Sequence, residues 1–200
     1  MLVGIIMARG AVLLINLIRF KEYCRGEIVE KQDTQTSAPS GIEAPTTASA
    51  PTCSLSFGVK AKSDAHILLA SCDGCDGIEI VIGGSDNTQS YIRSKKLEYP
   101  LHLVKAHTPK IIRSETEFTK FWIQIKKFND VILISVGNGN VGEGEPFMAT
   151  TVSKKSSIEF VAFAGWADIQ IKWDIHFPNR ELQLKTIGYK HAYERFPCSL

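Results

Sequence analysis

Apolar and polar residues alternate with a period of two through most of the chain after Leu55. Phe57, Val59 and Ala61 alternate with Gly58, Lys60 and Lys62, and Ile78, Ile80 and Ile82 with Glu79, Val81 and Gly83. Phe121, Ile123 and Ile125 share one face, with Trp122, Gln124 and Lys126 on the other. The clearest case sets Ile169, Ile171, Trp173, Ile175 and Phe177 against Gln170, Lys172, Asp174 and His176. Successive side chains of a strand point to opposite faces, so this pattern predicts half-buried strands. Further strands are expected at Leu101–Leu103, along the β-branched run Val131–Val136, and around Ile158, Phe160 and Ala162. The breaks between them carry Asp-Gly, Gly-Gly, Asn-Asp and Asn-Gly pairs, which is turn chemistry. No helical stripe of comparable strength interrupts the series. Short strands at regular spacing without intervening helices imply an all-β fold, an antiparallel β-sandwich of jelly-roll-like form.

Before this domain the pattern changes twice. Residues 1–25 hold two apolar runs, Met1–Ala8 and Ala11–Ile18, broken by Arg9 and Gly10 and followed by Arg19, Lys21 and Arg25. A spanning helix needs about 20 uninterrupted apolar residues, and Arg9 sits near the middle of this stretch. If translation began at Met7, Ala11–Ile18 would have the length of a signal-peptide core, although no A-x-A cleavage site follows. Two readings stay open: a leader for secretion or anchoring, with membrane contact through residues 1–18, or a plain amphipathic helix in a cytoplasmic chain. Residues 26–54 are dominated from 33 to 52 by Ser, Thr, Ala and Pro. They offer too little apolar surface to offset the entropy of ordering, which predicts a disordered linker. The β domain is placed at 55–178 and a mixed tail at 179–200, with a candidate edge strand at Glu181–Ile187.

Charge and cysteine usage narrow the function classes only a little. A net charge of +2 with 22% charged residues gives no electrostatic case for a nucleic-acid partner. Of the five cysteines, Cys72 and Cys75 form a C-x-x-C in an Asp-Gly turn between strands. A zinc site would need a second Cys or His pair at ligand spacing, and a redox motif would open a helix; neither condition is met. No metal is expected, and these two read as loop cysteines, free or bonded to each other.

The residues with chemistry to offer cluster in the first half of the domain. Asp64 and His66 fall on one face of an extended segment, where a carboxylate beside an imidazole can orient a base. Without a nucleophile or acceptor nearby, the plainer reading is that Asp64 caps a turn and His66 makes a buried hydrogen bond. The run Gly83-Gly84-Ser85-Asp86-Asn87-Thr88 combines glycines that permit positive φ with Asx side chains that can bond their own backbone two residues on. Gly83, Gly84, Asp86 and Asn87, with Arg93 on the following strand, therefore form a candidate loop for a carboxylate or a sugar. In this division Arg93 serves the ligand, while Asp64 and His66 serve stability first. Trp122, Trp166 and Trp173 are expected to pack in the core or on a sheet face rather than to serve as stacking platforms.

Several of these residues recur as a pattern. Phe57–Leu69 contains a strand ending in Lys60-Ala61, then Asp64-Ala65-His66. Glu79-Ile80-Val81-Ile82-Gly83-Gly84 is followed by Asn87-Thr88 and Ile92-Arg93. Phe121-Trp122-Ile123, Ile134-Ser135-Val136-Gly137, and Phe163, Gly165, Trp166 and Trp173 complete it. Over about 120 residues this order resembles the farnesoic acid O-methyltransferase-like family. One departure is Ser85-Asp86, where that family usually carries an aromatic residue and Gly. The family name implies methyl transfer from S-adenosylmethionine to a sesquiterpenoid acid, a step towards juvenile-hormone-type compounds. The family also resembles a module appended to extracellular and membrane proteins. The leading expectation is a non-catalytic recognition module without a cofactor, whose partner is a protein, glycan or small molecule. The alternative is an O-methyltransferase dependent on S-adenosylmethionine. Against that alternative, Gly137-Asn138-Gly139-Asn140-Val141-Gly142 matches a glycine-rich nucleotide turn but is expected to lie in a hairpin loop with no helix behind it.

Overall fold

The computed structural model describes residues 2–8, 11–19, 52–70, 77–94, 101–153, 158, 160–166, 169–177 and 180–187. Two strands come first, β1 (Leu2–Ala8) and β2 (Ala11–Arg19). The alternations then become strands in order: β3 (Thr52–Lys60), β4 (Ala65–Ala70), β5 (Gly77–Gly83), β6 (Gln89–Ser94), β7 (Leu101–His107), β8 (Thr119–Lys127), β9 (Val131–Asn138), β10 (Met148–Ser153), β11 (Phe160–Gly165), β12 (Gln170–Phe177) and β13 (Arg180–Ile187). A seven-stranded sheet runs β1-β2-β11-β4-β5-β6-β7, and a six-stranded sheet runs β10-β9-β8-β3-β12-β13. The pairs are antiparallel, as expected for an all-β sandwich.

The core lies between the sheets and is made of the residues that alternation assigns to one face. Leu55, Phe57, Val59, Phe121, Ile123, Ile125, Ile134, Ile171, Trp173 and Ile175 come from the six-stranded sheet; Ile67, Leu69, Ile80, Ile82, Ile92 and Phe163 come from the other. Phe57 sits at the centre, its ring 6.0 Å from Phe121, 6.0 Å from Trp173 and 6.2 Å from Phe163 across the gap. Truncating such a ring to Ala typically costs about 3–5 kcal/mol, which makes this cluster the joint between the layers.

Two boundaries differ from the sequence reading. Thr52, Cys53 and Ser54, assigned there to the linker, belong to β3, where Cys53 and Leu55 continue the buried face of Phe57 and Val59. Linker-like composition masks the alternation at these residues. The two apolar runs at the N-terminus form a hairpin rather than a helix, and β2 continues onto β11 through Phe160 and Val161. Among the described residues, no helix is long and apolar enough to cross a membrane. The tail's candidate edge strand pairs with β12 along its length. The linker stretch 26–51 and the Cys72–Cys75 turn lie outside the described residues.

Candidate functional site

Strands β4, β5 and β6 are central in the seven-stranded sheet, and their second face points away from the core. Register sets the rows on that face: His66 lies across from Val81 and Leu68 across from Glu79, while Glu79 lies across from Arg93 and Val81 across from Tyr91. This face is not simply solvated. Val81 is fully buried, and His66 and Glu79 are each 2% exposed.

A buried carboxylate needs partners, and Glu79 has two. His66 donates from Nδ1 to Glu79 Oε1 at 2.8 Å, and Arg93 donates from Nε to Oε2. Burial pushes the Glu79 carboxyl up; the hydrogen bonds and charges of His66 and Arg93 outweigh it and hold the group down at about 2. Glu79 is therefore ionised, and it fixes both neighbouring side chains. Arg93 is in turn built into the packing. Its guanidinium lies 5.3 Å from the ring centre of Tyr91. Burial raises the Tyr91 hydroxyl above its ordinary value, with Arg93 working against the rise and Glu79 and Asp64 adding to it.

The Gly83–Thr88 segment forms the wall beside these residues, by an unusual backbone path. Gly83, Ser85, Asp86 and Asn87 all have φ between 52° and 67°, so a left-handed turn carries the chain from β5 to β6. L-residues adopt this region at a cost of roughly 1–2 kcal/mol each, and Asn and Asp tolerate it best. Several bonds hold it. Asn87 Nδ2 donates to the Ile112 carbonyl at 2.7 Å, and the Ile112 N–H donates to Asn87 Oδ1 at 3.1 Å. Thr88 Oγ1 donates to the Ser85 carbonyl, and the Gly83 N–H donates to Ser90 Oγ. The Asp64 N–H donates to the Gly83 carbonyl at 2.9 Å, which ties Asp64 to the same turn. A Cβ on Gly84 would lie 2.9 Å from the Tyr91 ring and 3.2 Å from Val81, so glycine is what leaves room for both side chains beneath the turn.

These elements enclose a depression of about 370 Å³ lined by Asp64, His66, Ser85, Asp86, Tyr91, Arg93 and Trp166. Four of the residues singled out from the sequence, Asp64, His66, Asp86 and Arg93, share it. The other three shape it from behind: Gly83 and Gly84 give the backbone its path, and Asn87 is a clamp. The expected Asx bond two residues on is replaced, for Asn87, by its pair of bonds to Ile112, 25 residues away. Sequence reasoning gives no role to Glu79 or Tyr91, names Ser85 only as part of the turn, and leaves open how far Trp166 is exposed. That tryptophan packs on the sheet face, stacked on His66 at 6.0 Å with a 15° interplanar angle, yet stays 36% exposed. Trp173 and Trp122 do pack as expected, at 0% and 4% exposure.

A second depression, of about 490 Å³, opens elsewhere, between Arg113, Ser114, Glu117, Phe118, Thr119, Lys120, Asn138 and Gly139. The glycine-rich turn next to it belongs to the β9–β10 hairpin. Its Asn140 N–H and side-chain amide both donate to the Glu143 carboxylate, at 3.1 and 2.9 Å. An anionic acceptor thus already engages this turn, and no helix follows it. The turn therefore lacks the free amides and helix N-terminus that a glycine-rich phosphate-binding turn offers.

No curated protein matches the chain in sequence. Among solved structures, the carbohydrate binding module CBM66 from Bacillus subtilis aligns with a TM-score of 0.38 and 7% identity, over 70% of this chain and 75% of that one. The model of the family described as farnesoic acid O-methyl transferase matches residues 37–179, which takes in β3 to β12 and every residue of the depression. The chain therefore belongs to the farnesoic acid O-methyl transferase family.

Proposed function

We propose that this β-sandwich is a non-catalytic recognition module that binds a hydroxyl-bearing ligand in the depression on the outer face of the seven-stranded sheet. The observation that carries this reading is the pairing of a partly exposed indole, Trp166, with polar side chains held rigid by the buried Glu79. Binding sites gain affinity when their contacts are ordered before the ligand arrives. The His66–Glu79 pair has the look of an oriented base, yet His66 is only 2% exposed and lies under Trp166. Its ring is poorly placed to take a proton from a substrate.

Farnesoic acid fits the lining poorly at both ends. Its long apolar chain would meet mostly polar groups, and its carboxylate would meet Asp64 and Asp86. A location outside the cytoplasm belongs to the same proposal. Cys53 is disulfide-bonded, and disulfides persist mainly in oxidising compartments.

The test is a tryptophan-fluorescence titration of the full chain with a panel of saccharides and polyols, repeated on Trp166→Ala and alongside calorimetry with S-adenosylmethionine. A saturable change that Trp166→Ala abolishes, with no heat from S-adenosylmethionine, is expected. Micromolar S-adenosylmethionine binding with methyl transfer to farnesoic acid would overturn the proposal.

A further inference from the structure

The charge arrangement of the depression narrows the ligand further, given that it is the binding site. Among the described residues lining it, Arg93 is the only Arg or Lys. Its Nε is committed to Glu79, a carboxylate held ionised and buried directly beneath. The positive charge that the sequence offers to an acidic ligand is thus matched from within the sheet. What remains at the surface is Asp64 and Asp86, two carboxylates with no ion-pair partner within salt-bridge distance among the described residues. Asp86 is exposed and carried by the left-handed turn; Asp64 is half-buried and tied to that turn through the Gly83 carbonyl.

Carboxylates accept hydrogen bonds and repel anions, so acceptors in this position select ligands rich in O–H donors and without negative charge. The hydroxyls of Ser85 and Tyr91 add groups that both donate and accept. Trp166 supplies an apolar plane at the edge, suited to the C–H face of a ring. A volume near 370 Å³ lies at the small end of the usual range for ligand pockets, roughly 300–1,000 Å³, which suits a terminal ring better than the middle of a long chain.

We infer that the depression takes a neutral saccharide, seating one ring against Trp166 with its hydroxyls donating to Asp64 and Asp86, and that it discriminates against acidic sugars. The buried Glu79 is then a specificity-determining residue that touches no ligand: by matching Arg93 it keeps the site from being a carboxylate receptor.

The experiment is an array of neutral oligosaccharides and their uronic-acid or sialylated counterparts, probed with the full chain at one ionic strength. Hits are titrated by Trp166 emission. Neutral glycans should bind, and acidic ones should bind at least about tenfold more weakly, the scale set by a single charge-assisted hydrogen bond. Asp86→Asn should weaken neutral binding by a similar factor without unfolding the protein, because Asn also tolerates the left-handed region. Glu79→Gln, where it folds, should narrow the gap between acidic and neutral glycans. Acidic glycans binding as tightly as neutral ones, or Asp86→Asn binding like wild type, would overturn the inference. If no glycan perturbs Trp166 but another hydroxyl-bearing probe does, the saccharide assignment falls while the recognition site stands. If no probe perturbs Trp166, both fall.

Discussion

Replacing Glu79 by Gln removes a charge and almost no volume, which makes it the cleanest perturbation of the site's foundation. In the native protein the carboxyl, facing His66 and Arg93, is held at about 2 against an ordinary 4.5. At roughly 1.4 kcal/mol per pH unit, that difference is worth about 3 kcal/mol to the folded state at neutral pH. Removing one partner of a buried ion pair typically costs about 3–5 kcal/mol. The Arg93 side chain is 16% exposed and can regain some hydration, which favours the lower end. The two routes agree on about 3 kcal/mol, a large share of a typical stability of roughly 5–15 kcal/mol. Urea unfolding at pH 7 should show the midpoint of Glu79→Gln lowered by roughly 1–2 M. The pH dependence gives the sign. A carboxyl whose folded value is depressed contributes fully above its unfolded value and loses that contribution as pH falls through the folded one. The wild-type advantage should therefore be complete above about pH 4.5 and shrink towards pH 2. A variant as stable as wild type at pH 7, or an advantage that does not change between pH 5 and pH 2, would refute this reasoning.

Three further outcomes follow from the same geometry. Gly137→Ala should cost about 1–3 kcal/mol in urea unfolding, because its Cβ would fall 2.1 Å from the ring of Trp122, which is itself buried. Asn87→Ala should cost about 1–3 kcal/mol through the two lost bonds to Ile112, with added strain at φ 61°; Asn87→Gly, free of that strain, should cost less by thermal melting. Acrylamide should quench mainly Trp166 among the three tryptophans, and Trp166→Phe should remove most of the quenchable emission.

How much of this was legible depended on whether a feature was local. Alternation along β3, β8 and β12 marks Phe57, Ile123 and Trp173 as core without reference to any other strand. Glu79 shows the limit. On β5 it occupies a polar position between Ile78 and Ile80, and alternation assigns it to water. It is nevertheless buried, and its partners come from neighbouring strands: His66 lies 13 residues before it and Arg93 14 residues after. Nothing in a single strand's pattern records what lies over its second face. Asn87 is similar, since a turn residue reads as bonding locally and instead reaches Ile112. The Gly83–Gly84 pair did announce an unusual turn. Which way the turn faced, and that Trp166 would come to it from β11's end, required the sheet order. That Arg93 and His66 hold one carboxylate between them was hidden for the same reason.

The claim that the outer face of the seven-stranded sheet is the binding site is tested most directly by amide chemical-shift mapping of the full chain during titration with a neutral oligosaccharide selected on the array. The largest shifts should fall at Asp64–His66, Ser85–Asp86, Tyr91–Arg93 and Trp166, with Arg113–Lys120 and Asn138–Gly139 unmoved. Shifts confined to Arg113–Lys120 and Asn138–Gly139, with Trp166 unmoved, would contradict it.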